Sequence, residues 1–136
     1  MQVIPTRVHG MLDYLIGALL IAAPWLFDFN RGGAETWVPV AVGAGVILYS
    51  LFTDYELGAV RRLSMPTHLA LDMGGGALLA ISPWLFGFSE VVWQPHLFVG
   101  LIEIATAAMT RRVPADGRHS RGSAGLGHRT SGAFRS

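Results

Sequence analysis

Two pairs of ionisable residues lie inside apolar stretches of the chain, where charged side chains are rare. His9 and Asp13 are four residues apart, and His68 and Asp72 repeat this spacing in the second half of the sequence. A spacing of four places both members of a pair on one face of a helix, one turn apart. Glycine follows four residues after each aspartate, which favours close packing of these faces against other helices.

A fifth ionisable residue, Glu103, lies in the last apolar stretch. The two halves of the chain resemble each other. When they are aligned on Trp37 and Trp93, the residue equivalent to Glu103 is Ile47. Duplication therefore does not explain this acid. We expect Glu103 to bond Tyr49 or Ser50, or to carry a function of its own.

An ionised acid at the centre of a bilayer costs at least about 2.5–3.5 kcal/mol, so these groups should be partnered, protonated or in contact with water. The preferred hypothesis is that each His-Asp pair is an internal hydrogen bond that pins the first helix against the third. The alternative is a proton or cation relay through His9, Asp13, His68, Asp72 and Glu103. Two histidines and two aspartates also suit zinc or a harder cation. Because no short metal-binding motif is present, neither a metal site nor a cofactor is predicted.

Several classes of enzyme are excluded. The chain has no cysteine, so it has no thiol nucleophile and no thiolate metal site. It has neither a phosphate-binding glycine loop nor a dinucleotide fingerprint. Ser82 is expected near the opposite end of the same helix from His68, too far away for a catalytic pair. We therefore expect no enzymatic activity.

The composition is that of a membrane protein. Of the 136 residues 51% are hydrophobic and 14% are charged, and the mean hydropathy is +0.44. A bilayer core of about 30 Å needs about 20 apolar residues in a helix. Four apolar runs reach or approach that length: 8–27, 36–53, 69–88 and 91–110. The predicted fold is all-α, a polytopic membrane protein with four transmembrane helices.

The basic residues are distributed unevenly along the chain. All ten are arginine, and only Arg31 lies between the first and second runs. The others precede the first run, lie between the second and third, or follow the fourth. By the positive-inside rule, both termini are cytoplasmic. The predicted location is the bacterial cytoplasmic (inner) membrane, as a multi-pass protein.

A seven-residue motif occurs twice, each time at the end of an apolar run. The copies read Ala23-Pro24-Trp25-Leu26-Phe27-Asp28-Phe29 and Ser82-Pro83-Trp84-Leu85-Phe86-Gly87-Phe88. A long internal repeat of this kind indicates a duplicated helical unit. We predict two tandem two-helix units, 1–58 and 59–112, related by a parallel pseudo-twofold axis. The Arg/Gly/Ser-rich remainder, 113–136, is predicted to be a disordered cytoplasmic tail.

The Ser-Pro-Trp motif near the end of the first helix of a two-helix unit resembles the SPW repeat family of small bacterial membrane proteins. The resemblance covers about 5–110. It implies a membrane location and a two-helix repeat, and it brings no established activity or catalytic residue. The first copy has Ala23 where the motif has serine. If that serine bonds a freed backbone carbonyl, only Ser82 can do so.

We therefore predict a structural or accessory helical bundle that binds partners within the lipid bilayer. The expected protein partner is a second copy of the chain or a larger membrane protein, and no nucleic acid is expected. The alternative is a small proton or cation transporter or channel that uses the intramembrane carboxylates.

Overall fold

The computed structural model describes residues 2–113, which form four α-helices. The helices are α1 (Thr6–Leu26), α2 (Ala34–Phe52), α3 (Met65–Leu85) and α4 (Gln94–Met109). Within residues 2–113, β structure is confined to two isolated bridges, so the predicted all-α class is confirmed there. The predicted tail lies outside the described residues, apart from its first residue.

No helix begins at the first residue of its apolar run: α1 and α2 begin two residues earlier, and α3 and α4 differ more. Helix α3 begins four residues before the predicted run, because Ser64 caps it by accepting a hydrogen bond from the backbone N–H of Thr67 (3.4 Å). Helix α4 begins at Gln94, three residues inside its apolar run, because residues 89–91 form a turn. Pro95 lies in its first turn, where proline commonly marks a helix start, as the sequence predicts. Its 16 residues span about 24 Å.

The motif prolines lie inside α1 and α3, and each helix continues two residues beyond its proline. Proline has no N–H, so it leaves the carbonyl four residues earlier without its helical donor. In α3 this is the carbonyl of Leu79, and the hydroxyl of Ser82 donates to it at 2.7 Å. Ser82 thus makes the bond that the sequence analysis considered for this serine. In α1 the equivalent carbonyl belongs to Leu20, and Ala23 has no hydroxyl to donate.

Both helices end in the same reversal of the chain. The backbone N–H of Phe29 and that of Phe88 bond the carbonyl of the motif proline in their own copy, at 2.9 and 2.8 Å. This is the longer bond of a Schellman motif, which needs a left-handed residue just before the donor. Asp28 (φ 55°) and Gly87 (φ 71°) fill that position. The reversal turns both phenylalanines inward, where each is only 5% exposed.

The closest helix contacts lie within each hairpin, between α1 and α2 and between α3 and α4. Gly17 meets Gly43 in the first hairpin, and Gly76 meets Gly100 in the second. A Cβ at Gly43 would lie 2.5 Å from the carbonyl oxygen of Gly17, and one at Gly76 would lie 2.8 Å from that of Gly100. These backbones therefore approach closely because neither carries a side chain. The paired glycines also align the two copies: Gly17 corresponds to Gly76 in the first helices, and Gly43 corresponds to Gly100 in the second helices.

The segment before α1 pairs with the end of α4. Ile4 forms a parallel bridge with Thr110, and Leu63, which precedes α3, forms the same kind of bridge with Thr53 at the end of α2. The end of each helical hairpin is thus joined to the start of the other hairpin by a short parallel bridge.

The polarity of the bundle is the reverse of that of a soluble domain. Most exposed side chains along the helices are large and apolar, while histidines, acids and threonines are among the most deeply buried. Four tryptophans mark one end of the bundle, the tryptophan end: Trp25, Trp37, Trp84 and Trp93. The other end, the linker end, holds the 53–64 connection. By length and composition, α1 and α2 are able to cross a membrane, which indicates a membrane protein.

Candidate functional site: a buried cluster of two histidines and two aspartates

The side chains of His9, Asp13, His68 and Asp72 meet where α1 and α3 face each other, and each residue is at most 1% exposed. The shortest contacts join the two copies. His9 Nε2 lies 2.8 Å from Asp72 Oδ2, and His68 Nε2 lies 3.0 Å from Asp13 Oδ2. Within each helix, the histidine and aspartate are 3.3 and 3.2 Å apart.

This geometry corrects one prediction and extends another. The expected pairs were internal to each helix, but each imidazole bonds most closely to the aspartate of the other copy. The reason is that residues four apart are separated by about 6 Å along the axis, whereas a facing helix can present its carboxylate directly beside the ring. The cluster therefore connects α1 to α3, the two helices that the sequence predicted to be pinned together.

Two threonines hold the far nitrogen of each imidazole. Thr53 Oγ1 lies 2.8 Å from His68 Nδ1, and Thr110 Oγ1 lies 2.9 Å from His9 Nδ1. Each threonine also donates to the carbonyl four residues earlier in its own helix, at 2.7 and 2.6 Å. That carbonyl lacks its helical donor, because the threonine N–H bonds the next carbonyl along instead.

These contacts fix the state of Nδ1. A hydroxyl has one proton, and here the otherwise unpaired carbonyl takes it, so the threonine oxygen accepts a hydrogen bond from Nδ1–H. Nε2 then has three options beside the carboxylates: it carries a second proton, it accepts a hydrogen bond from a protonated carboxyl group, or it offers a lone pair to a cation. Two imidazolium groups balance two carboxylates, and one divalent metal ion on two neutral imidazoles balances them equally. All three states are electrically neutral.

The carboxylates have partners of their own. The hydroxyl of Tyr49 donates to Asp72 Oδ1, and that of Ser50 donates to Asp13 Oδ2 at 3.2 Å. Tyr49 and Ser50 were the expected partners of Glu103, and that prediction is wrong. Both lie on α2, so they meet the aspartates of α1 and α3 rather than the acid of α4.

Glu103 is 2% exposed, and its Oε1 has no hydrogen-bond partner. Its equivalent in the first copy also differs from the predicted one. When the second helices are aligned on Gly43 and Gly100, Glu103 matches Val46 rather than Ile47. Val46 is as deeply buried, at 2%, so one copy has a buried apolar side chain where the other has a carboxylic acid.

The four cluster residues are close enough together to share one metal ion. One ligand atom from each residue lies within 4.8 Å of all the others. Zinc holds nitrogen and oxygen ligands at about 2.0–2.2 Å in a tetrahedron, which places neighbouring ligands a little more than 3 Å apart. The four His–Asp contacts of 2.8–3.3 Å are close to that value or shorter, and the two that involve Asp13 go to different oxygens, Oδ1 for His9 and Oδ2 for His68. Small shifts of the side chains would therefore accompany metal binding. The bond from each Nδ1 to a threonine also supplies the outer contact that metal-bound histidines nearly always make.

Sequence reasoning missed Thr53 and Thr110, although a signal was present. Each is the last residue of a predicted apolar run, and the two coincide when Gly43 is aligned with Gly100. A hydroxyl at the same place in both copies is an expected partner for the repeated histidine.

The profile of the SPW repeat domain matches residues 7–110. The chain belongs to the SPW repeat family. No match was found among curated proteins or among solved structures.

In this SPW repeat protein, the motif residues lie at the tryptophan end. The motif shapes the helix ends, and the polar cluster is a separate feature. The motif positions are Pro24, Trp25, Ser82, Pro83 and Trp84.

Proposed function

We propose that this protein binds one divalent transition-metal ion within the membrane, at the junction of its two repeats. His9, Asp13, His68 and Asp72 are the ligands, through both Nε2 atoms and one oxygen of each carboxylate. The role is binding rather than catalysis.

The observation that carries this proposal is the orientation of the imidazoles. Thr53 and Thr110 take up both Nδ1–H groups, so both Nε2 atoms are directed at the carboxylates. Imidazole and carboxylate ligands suit zinc, iron, cobalt or manganese, and they suit less well the soft ions that prefer thiolate ligands. A divalent ion leaves the site neutral, which avoids the cost of a net charge in a low-dielectric interior.

We propose further that all four helices cross the bilayer, as two units related by a pseudo-twofold axis along its normal. Exposed large apolar side chains on every helix support this arrangement. The tryptophans at one end, and at the other end all the described arginines except Arg31, agree with cytoplasmic termini in the inner membrane. A 16-residue α4 is accommodated by local thinning of the bilayer.

Cysteine labelling tests the orientation, because the chain has no cysteine of its own. A membrane-impermeant maleimide added to intact cells should label Glu90→Cys at the tryptophan end and spare Ala59→Cys in the linker. The opposite pattern would reverse the orientation, and labelling of both positions would mean that α3, the helix between them, does not cross the bilayer.

Metal binding is tested on the purified protein in detergent, stripped with a chelator and then dialysed against Zn²⁺ or Co²⁺. We expect one ion per chain and visible absorption from bound Co²⁺. Asp72→Asn and Asp13→Asn should each weaken affinity by more than about 100-fold, beyond the effect usual for outer contacts. Asp28→Asn, which removes a carboxylate far from the cluster, is the matched control and should bind like the wild type.

A wild-type protein that binds no ion, or an Asp72→Asn variant that binds as well as the wild type, refutes the metal site. The cluster would then be an ion-pair connection between the repeats, as in the structural role predicted from the sequence. In that case Asp72→Asn should still lower stability, because it leaves buried imidazolium charge without its partner.

A further inference from the structure

Two buried polar residues on α4 have unused hydrogen-bonding groups. Among the residues that the structure describes, Glu103 Oε1 and both ring nitrogens of His96 are buried without a partner, as is the hydroxyl of Tyr55. His96 is 1% exposed and Glu103 is 2% exposed. An unpaired buried polar group is costly, so a chain that retains two on one helix face needs a reason for them.

Duplication is not that reason. In the alignment of Gly43 with Gly100, Pro39 corresponds to His96 and Val46 corresponds to Glu103. Both counterparts are buried and neither has a polar side chain. The unpaired groups of α4 therefore have no polar counterpart in the first unit, whereas the His-Asp cluster draws equally on both units.

His96 lies between the cluster and the tryptophan end. Its ring packs against Phe29 and Phe88, with centroids 5.5 and 5.0 Å away. It also lines a cavity of about 20 Å³ between α1, α2 and α4, which includes the exposed side chain of Phe27. Apart from His96, the residues that line this cavity are apolar, so an ion that enters it needs the His96 ring as its ligand.

Glu103 is two turns further into the bundle, about 10.5 Å along the same face of α4. A Cβ placed on Gly76 would lie 3.0 Å from the Cβ of Glu103, and Gly76 is one turn from Asp72. Glu103 thus stands next to the cluster on the side that faces His96.

The linker end offers no comparable route. Tyr55 is completely buried, with its ring against Gly10 and 5.8 Å from that of His68. It packs there with Met65, Leu69 and Ala107. The unpaired polar atom of this layer is the Tyr55 hydroxyl, and the layer contains neither an imidazole nor a carboxylate that could hold a cation on its way.

We infer that His96 and Glu103 are transient ligands on an access route, by which a divalent cation passes from the tryptophan end to the cluster. The inference rests on the proposed metal site. His96 offers a neutral nitrogen and Glu103 a carboxylate, so the ion exchanges ligands stepwise instead of crossing apolar protein without any. Because neither residue is a permanent ligand, each acts on the rates of binding and release and leaves the equilibrium unchanged.

Stopped-flow absorption of Co²⁺ tests this with the full chain in nanodiscs, where both faces are accessible. Glu103→Gln and His96→Gln should each slow Co²⁺ binding and chelator-driven release by about tenfold, as expected when a barrier rises by about 1.4 kcal/mol. The dissociation constant should stay within about twofold of the wild-type value. Glu90→Gln removes an exposed acid at the same end of the molecule and should leave both rates unchanged.

Unchanged rates in both variants overturn the inference while the metal site stands. A weaker affinity with faster release also overturns it, because that is the behaviour of a permanent ligand. Failure of the wild type to bind Co²⁺ refutes the metal site and this inference together. If Glu103→Gln does not assemble, Glu103→Asp, which retains a carboxyl group, must slow both rates to a smaller degree, and His96→Gln provides an independent result.

Discussion

The hydrogen bond from Ser82 predicts a reciprocal pair of effects on stability. The Ser82→Ala variant leaves the carbonyl of Leu79 without a donor, because Pro83 supplies no N–H. Ala23→Ser makes the opposite change in the first copy, where the carbonyl of Leu20 lacks both the proline N–H and a serine. One substitution removes the serine from the second copy, and the other introduces a serine at the equivalent position of the first copy.

The magnitude follows from burial and geometry. Ser82 is fully buried and its bond is short, at 2.7 Å. Side-chain hydrogen bonds in membrane proteins contribute about 0.6 kcal/mol on average and up to about 1.7, and an unpaired buried carbonyl costs about 1–3 kcal/mol. We expect Ser82→Ala to lower the free energy of unfolding by about 1–2 kcal/mol. Ala23 lines the cavity of about 20 Å³, so the added hydroxyl fits, and Ala23→Ser should raise stability by about 0.5–1 kcal/mol.

Unfolding by SDS in mixed micelles, followed by helical circular dichroism, measures both changes under one metal condition. The double variant should lie close to the sum of the two single variants, because the sites belong to different hairpins. The reasoning is refuted if Ser82→Ala is as stable as the wild type while Ala23→Ser is destabilised. The serine would then be dispensable at this proline.

Three further predictions follow from differences within the chain. Asp28→Gly should raise the free energy of unfolding by about 1 kcal/mol, measured in the same titration, because Asp28 holds the left-handed position that Gly87 fills in the other copy. Gly76→Ala should destabilise the bundle by about 1–3 kcal/mol, since its Cβ would press on the backbone of α4. Gly74→Ala, where a Cβ meets nothing within 4 Å, should be neutral or slightly stabilising, and equal effects at the two glycines would contradict the close approach of the helices. Thr53→Val should weaken Co²⁺ binding by about 10–100-fold, because Nδ1–H loses its acceptor; an unchanged dissociation constant in equilibrium dialysis would show that the threonine does not orient the imidazole.

Much of the fold could be read from periodicity. The four apolar runs and the repeated motif were enough to predict four helices in two copies. The four-residue spacing of His9 and Asp13 correctly placed both on a buried face. The role of Ser82 could also be inferred, because the carbonyl that a helical proline leaves free is determined by backbone chemistry alone.

The arrangement of the site depended on contacts between helices, which spacing does not reveal. Whether each histidine bonds the aspartate of its own helix or that of the facing helix depends on how α1 and α3 pack. The equivalence of Glu103 and Val46 was missed because the loops differ in length, so that alignment on the tryptophans is displaced by one residue within the helices. The paired glycines Gly43 and Gly100 give the correct alignment.

The two matching backbone bridges between the hairpins suggest where this chain could be cut and rejoined. Ile4 meets Thr110 through backbone contacts of the same kind as those that join Leu63 to Thr53, yet only the second pair is also connected by a short linker. The first junction is therefore the same contact as the second, without a covalent connection. A circular permutant with new termini in the 53–64 linker and a peptide joining the old ends would preserve every helix contact, and two separately made hairpins contain all that is needed to rebuild the cluster. In the same sense, an ancestral single hairpin could have formed this centre as a symmetric dimer before its gene was duplicated.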